Sequence, residues 1–120
     1  MTPSPALDLL VFRAYQKMQD NHDGDAFIED RPNHLLPNEK PHLMVCWELE
    51  GGSFEAWSPS TQMAHAWALV EMLSLLDPSV RCIHQHGCAR NWIVELVGYK
   101  PVTSTSAPLA ICHAFLEAAK

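Results

Sequence analysis

The hydrophobic period of this chain switches from two to about 3.6 twice in succession, and that double switch narrows the folds open to it. Leu43, Val45, Trp47 and Leu49 alternate with Met44, Cys46, Glu48 and Glu50, as in a strand with one apolar face. Gly51 and Gly52 supply a tight hairpin turn, and residues 53–57 read as the returning arm. Over residues 58–73 the period lengthens, with Met63, Ala66, Trp67, Val70 and Leu73 forming one apolar stripe. Ser58 or Ser60 is the expected cap of this helix, with Pro59 fitting its first turn, and Asp77-Pro78 closes it. The same order recurs: residues 80–86 and 92–98 are arms around a turn at 87–91. A polar lead at 103–106 then opens a last helix with Leu109, Cys112, Phe115, Leu116 and Ala119 inward and His113 and Glu117 outward.

Ahead of both units, Ser4-Pro5 marks a helix start, and Leu7, Leu10, Val11, Ala14 and Met18 recur at helical spacing, with Asp8 off that stripe. This helix is expected over residues 1–19. Residues 20–41 carry three prolines, a glycine and many short polar side chains, and read as a long acidic loop pinned by Phe27, Ile28, Leu35 and Leu36. The expected fold class is α+β, with an antiparallel sheet of about four strands layered with helices in the order α-ββα-ββα. At 120 residues the chain has room for one core, so residues 1–120 are read as one domain, with 42–119 holding the two ββα units.

Charge excludes more than it selects. Eight Lys and Arg against 14 Asp and Glu give a net charge of −6, a poor match to phosphate backbones, so no direct nucleic-acid binding is expected. No apolar run is long enough for a bilayer and the N-terminus lacks a basic start, which points to a cytoplasmic protein with no membrane partner. Cys46, Cys82, Cys88 and Cys112 show no dense scaffold spacing and read as reduced thiols.

Two stretches resemble a known family. Ser60-Thr-Gln-Met-Ala-His-Ala-Trp67 followed by Ala68-Leu-Val-Glu71, and the ending Ala107-Pro-Leu-Ala-Ile-Cys112, are similar to small bacteriophage and prophage proteins carrying a phage ABA-sandwich domain. The resemblance spans roughly residues 42 to 119. It implies an α/β/α layered fold and a phage origin, and it brings no catalytic residues. Read physically, its alanines let a helix approach the sheet and Trp67 fills the space between layers.

Among side chains that carry chemistry, Cys82, His84 and His86 alternate on one strand and Cys88 follows Gly87, an N/S set of the kind zinc accepts. Cys82 or Cys88 with His84 or His86 is also a thiol–imidazole pair, with Glu95 able to approach across the hairpin. Neither set has the spacing of a closed site, and no catalytic residue or cofactor is assigned. Residues 19–30 imitate a calcium loop through Asn21, Asp23, Gly24 and Asp25, but Gln19 and Asp30 depart from its first and last positions. The remaining signal is acidic. Asp20, Asp23, Asp25, Glu29 and Asp30 occur with no Lys or Arg among residues 20–30, and Glu48, Glu50 and Glu55 surround the first hairpin tip. These eight are the expected partner-binding residues, and Trp47 and Trp57 are expected core anchors. Charge and phage resemblance together point to a small non-enzymatic protein that binds a host protein. An anti-CRISPR-like inhibitor seated in a basic nucleic-acid channel is the specific form of that expectation. A metal-binding or thiol-dependent protein is the alternative, and pairing of open sheet edges between copies is a third.

Overall fold

The computed structural model describes residues 2–18, 24–29, 41–47, 53–75, 80–86 and 91–119, with backbone alone at residues 80–82, 84 and 86. Helix α1 (Pro5–Met18) starts where Ser4-Pro5 dictates: Ser4 Oγ accepts from the Leu7 amide at 3.1 Å. Strands β1 (Asp25–Glu29), β2 (His42–Cys46) and β3 (Glu55–Ala56) form one antiparallel sheet in the order β1-β2-β3. After α2 (Met63–Ser74), strands β4 (Val80–His86), β5 (Asn91–Leu96) and β6 (Val102–Ser104) form a second antiparallel sheet in the order β4-β5-β6, and α3 (Ala107–Ala118) follows.

The α+β class and the antiparallel pairing are as the sequence implies, but a single four-stranded sheet is not what forms. Each expected hairpin gains a third strand, so the described elements run α-βββ-α-βββ-α in two three-stranded sheets. The first addition, β1, comes from the stretch read as loop: Asp25 to Glu29 pair with Cys46 to His42 along β2. Backbone amides on an open strand edge need partners, and five residues bearing Ala26, Phe27 and Ile28 supply them although the run is too short to show a period. The second, β6, lies in the expected polar lead, where Val102, Thr103 and Ser104 pair with Val94, Ile93 and Trp92. A β1 strand through residues 25–29 also removes the coil that a calcium loop would need there. Gly24 serves packing instead: a Cβ at this position would press on the Gln16 side chain and come within 2.8 Å of the Cys46 carbonyl.

One buried cluster joins all three helices with β2, β5 and β6 through residues such as Phe12, Leu43, Leu69, Val94, Val102 and Phe115. Burying each such side chain stabilises the fold by roughly 1.5–3 kcal/mol. Aromatic contacts extend it: Phe12 meets Trp47 at 5.1 Å between ring centroids, Trp47 meets Trp57 at 5.3 Å, and Tyr15 meets Phe115 at 6.2 Å. Trp57 is 5% exposed and Trp47 half-buried, so both anchor the core as expected.

Helix α2 departs from its expected form. It begins at Met63 with Gln62 as a cap that makes no side-chain bond, because residues 58–61 are used in a turn. The amides of Thr61 and Gln62 both donate to the Ser58 carbonyl, at 3.1 and 2.7 Å. Its buried stripe is Ala66, Leu69 and Leu73, turned away from Met63 and Trp67. Trp67 is 50% exposed and does not fill an interlayer space. Helix α3 opens after the expected polar lead, with Ser106 Oγ accepting from the Leu109 amide at 3.5 Å, but buries more of its circumference than one stripe. Ala110, Ile111, Cys112, Ala114 and Phe115 are all fully buried, the small residues permitting close approach to α2 and to β5 and β6.

Candidate functional site

Asp25 and Glu29 stand at the two ends of β1 and Glu55 begins β3, so all three lie on the edge strands that flank β2. Asp20, Asp23, Asp30, Glu48 and Glu50 lie outside the described residues. Asp25 and Glu55 are exposed and Glu29 is half-buried. Glu55 Oε1 accepts from the Trp47 indole N–H at 2.7 Å, which holds that carboxylate in place, and Asp25 Oδ1 accepts from the Ala26 amide at 2.8 Å. Among the described residues no lysine or arginine pairs with any of the three. No described cation therefore neutralises them, and Asp25 and Glu55 carry their charge at the surface.

A second feature of this sheet was not found from sequence. Leu43 and Val45 point into the core, so by strand alternation Met44 and its cross-strand partners Phe27 and Ala56 share the opposite face. Phe27 and Phe54 meet on that face, their centroids 5.0 Å apart at 61°, yet remain 45% and 42% exposed. Asp25 and Glu29, two positions either side of Phe27, belong to the same face. The alternation Asp25-x-Phe27-x-Glu29 carries this signal, in a run too short to stand out from the prolines and short polar residues around it.

The third feature joins α1 to the turn before α2. Asp8, expected off the packed face, is buried, and its Oδ1 accepts from the Ser60 amide at 2.9 Å. The Ser60 hydroxyl, fully buried beside this carboxylate, closes no hydrogen bond of good geometry. Burial raises the Asp8 pKa above its ordinary 3.8, and the contacts with Ser60 offset that rise only in part. His65 reaches back so that its Nδ1 accepts from the Ser58 amide at 2.8 Å. Ser60 and His65 thus serve to fix the turn against α1. The open cleft above them, about 750 Å³, is lined by residues including Pro3, Pro5, Pro41 and His42. Asp8 and Ser60, at its floor, are both buried.

The cysteine and histidine set is partly in view. Positions 82, 84 and 86 alternate along edge strand β4, and the register places Glu95 directly opposite Cys82 and Ile93 opposite His84. Cys88 lies outside the described residues. Among the described residues no cluster of His, Cys, Asp and Glu is placed to hold a metal. Cys46 and Cys112 are buried thiols. Burial, with the charge of Asp8 adding to it, pushes the Cys112 thiol far above the ordinary range.

No helix among the described residues is long and apolar enough to cross a membrane. Comparison with curated proteins and with solved structures gives no match. The phage ABA sandwich domain model matches residues 33–116, which takes in both signature stretches, every described element from β2 to β6, and α3 except its last two residues. With well over half its length matched, the chain belongs to the phage ABA sandwich domain family.

Proposed function

We propose that this protein is a non-enzymatic bacteriophage or prophage product that binds a host protein in the bacterial cytoplasm. Its acidic sheet edge takes the place of nucleic acid in a Lys/Arg-lined groove, the mode of an anti-CRISPR-like inhibitor. The observation that supports this most is the first sheet, where exposed Asp25 and Glu55 and half-buried Glu29 flank β2 with no cation paired to them in the described chain. Family membership supplies the phage context, and the net charge of −6 steers the molecule toward basic surfaces. The segment that brings Asp25 and Glu29 precedes the family-matched residues, as expected of a recognition element added to a common scaffold.

Charge reversal tests it. The variant carrying Asp23→Lys, Asp25→Lys, Glu29→Lys and Asp30→Lys is expected to lose the host partner that the tagged wild type retains. Binding that survives reversal and is insensitive to salt would refute the electrostatic mechanism.

A second reading, a zinc or thiol site at Cys82, His84, His86 and Cys88, has one observation in its favour: β4 is an edge strand with three of these positions alternating along it. One equivalent of zinc in protein purified without chelator, with stability lost on chelation, would establish it in place of the first.

A further inference from the structure

We infer that the Phe27–Phe54 pair, set between Asp25 and Glu29, is a contact site for an arginine side chain of the basic partner. The inference rests on the binding role proposed above and names the residue type that the surface selects.

Exposed aromatic pairs on a sheet have three candidate occupants: a nucleobase, a second copy of the chain, or a cationic side chain. Charge separates them. Asp25 and Glu29 stand on the same face as Phe27, each about 7 Å from it along the strand. A stacked nucleobase would bring its phosphates against these carboxylates, and a second copy would bring a second pair of them. A guanidinium meets the opposite sign on both sides.

The ring geometry favours arginine over lysine. Phe27 and Phe54 meet edge to face, at 5.0 Å and 61°, so part of a ring face stays open where both rings are more than two-fifths exposed. A planar, weakly hydrated guanidinium can lie on that face and still donate in-plane N–H groups to a carboxylate alongside. A lysine ammonium, compact and strongly hydrated, gains the charge contact but little of the stacking. Met44, half-buried and directly across from Phe27 on the same face, offers apolar surface to the arginine stem.

The test uses the full chain with nona-arginine, nona-lysine and a dT oligonucleotide of nine residues as probes, followed by isothermal calorimetry at low salt. Nona-arginine should bind roughly 2–5-fold more tightly than nona-lysine, the size of an exposed cation–π contact, and the oligonucleotide should not bind. The pair Phe27→Leu and Phe54→Leu keeps apolar bulk while removing the rings, and should lower nona-arginine affinity to that of nona-lysine. Asp25→Asn with Glu29→Gln should weaken both peptides together. Equal affinity for the two peptides, or a preference for arginine that survives Phe→Leu, overturns the arginine site while leaving the acidic surface intact. Insensitivity of both peptides to Asp25→Asn with Glu29→Gln overturns the acidic-surface reading. Tighter binding of the oligonucleotide than of nona-arginine, or dimerisation seen by sedimentation and lost in the Phe→Leu pair, assigns the surface to a nucleobase or a second copy and overturns the inference.

Discussion

The Asp8–Ser60 contact allows the fold to be tested through one side chain whose two replacements move stability in opposite directions. Asp8→Ala leaves the buried Ser60 amide without the acceptor it now has at 2.9 Å, beside a Ser60 hydroxyl that already lacks a partner. Stranding a buried donor costs about 1–3 kcal/mol, so a loss near 2 kcal/mol is expected, a fall in Tm of roughly 8 °C for a domain of this length. Asp8→Asn keeps the Oδ1 acceptor, offers an N–H to the Ser60 hydroxyl, and removes a carboxylate that burial disfavours. It should match or exceed the wild type at pH 7, by up to about 1 kcal/mol. The comparison also has a sign in pH. In the folded chain Asp8 holds its proton at a pH where the unfolded chain, with a pKa near 3.8, has released it. The folded state binds more protons across that window, so wild-type stability relative to Asp8→Asn falls as pH rises from about 3.8 through the raised folded value, and recovers on acidification. Urea unfolding of the three proteins at a series of pH values measures this directly. Equal stability of Asp8→Ala and wild type, or a difference between wild type and Asp8→Asn that does not vary with pH, would refute the buried contact.

Two further outcomes follow from burial. Trp57→Ala should cost about 3–5 kcal/mol in chemical denaturation, since the ring is buried against Phe12, Tyr15 and Trp47, whereas Trp67→Ala should cost less than about 1 kcal/mol. The reverse order would mean that Trp67, not Trp57, lies in the core. Cys112 should resist thiol reagents in the native protein and react only at the rate of unfolding, because burial keeps it protonated and inaccessible. Peptide mapping that found Cys112 labelled at the rate of an exposed thiol would contradict its placement in α3.

Long-period patterns were legible in the sequence and short pairings were not. Helices α1 and α3 are readable because Ser4-Pro5 marks one start, a polar lead marks the other, and their apolar spacing persists for three turns. Strands β4 and β5 were legible as a hairpin for the same reason of length. By contrast β1 and β6 are five and three residues long, and their existence depends on an open edge of another strand, which local composition does not encode. Helix α2 is apolar on several sides, so spacing alone does not choose between a stripe through Trp67 and one through Leu69, and tertiary packing decides which side meets α3. The binding surface was half legible: the carboxylates were visible as a composition bias, but their union with Phe27 and Phe54 required the pairing of β1 with β2. Asp8 and Ser60 lie 52 residues apart, and no local pattern joins them.

The measurement closest to the central claim is competition. The host protein captured by the tagged chain is presented with its nucleic acid, labelled, and the chain is titrated in. Displacement of the nucleic acid by the wild type, lost with charge reversal at Asp23, Asp25, Glu29 and Asp30 and weakened by salt, is the predicted result. A stable ternary complex of partner, nucleic acid and chain would contradict the account.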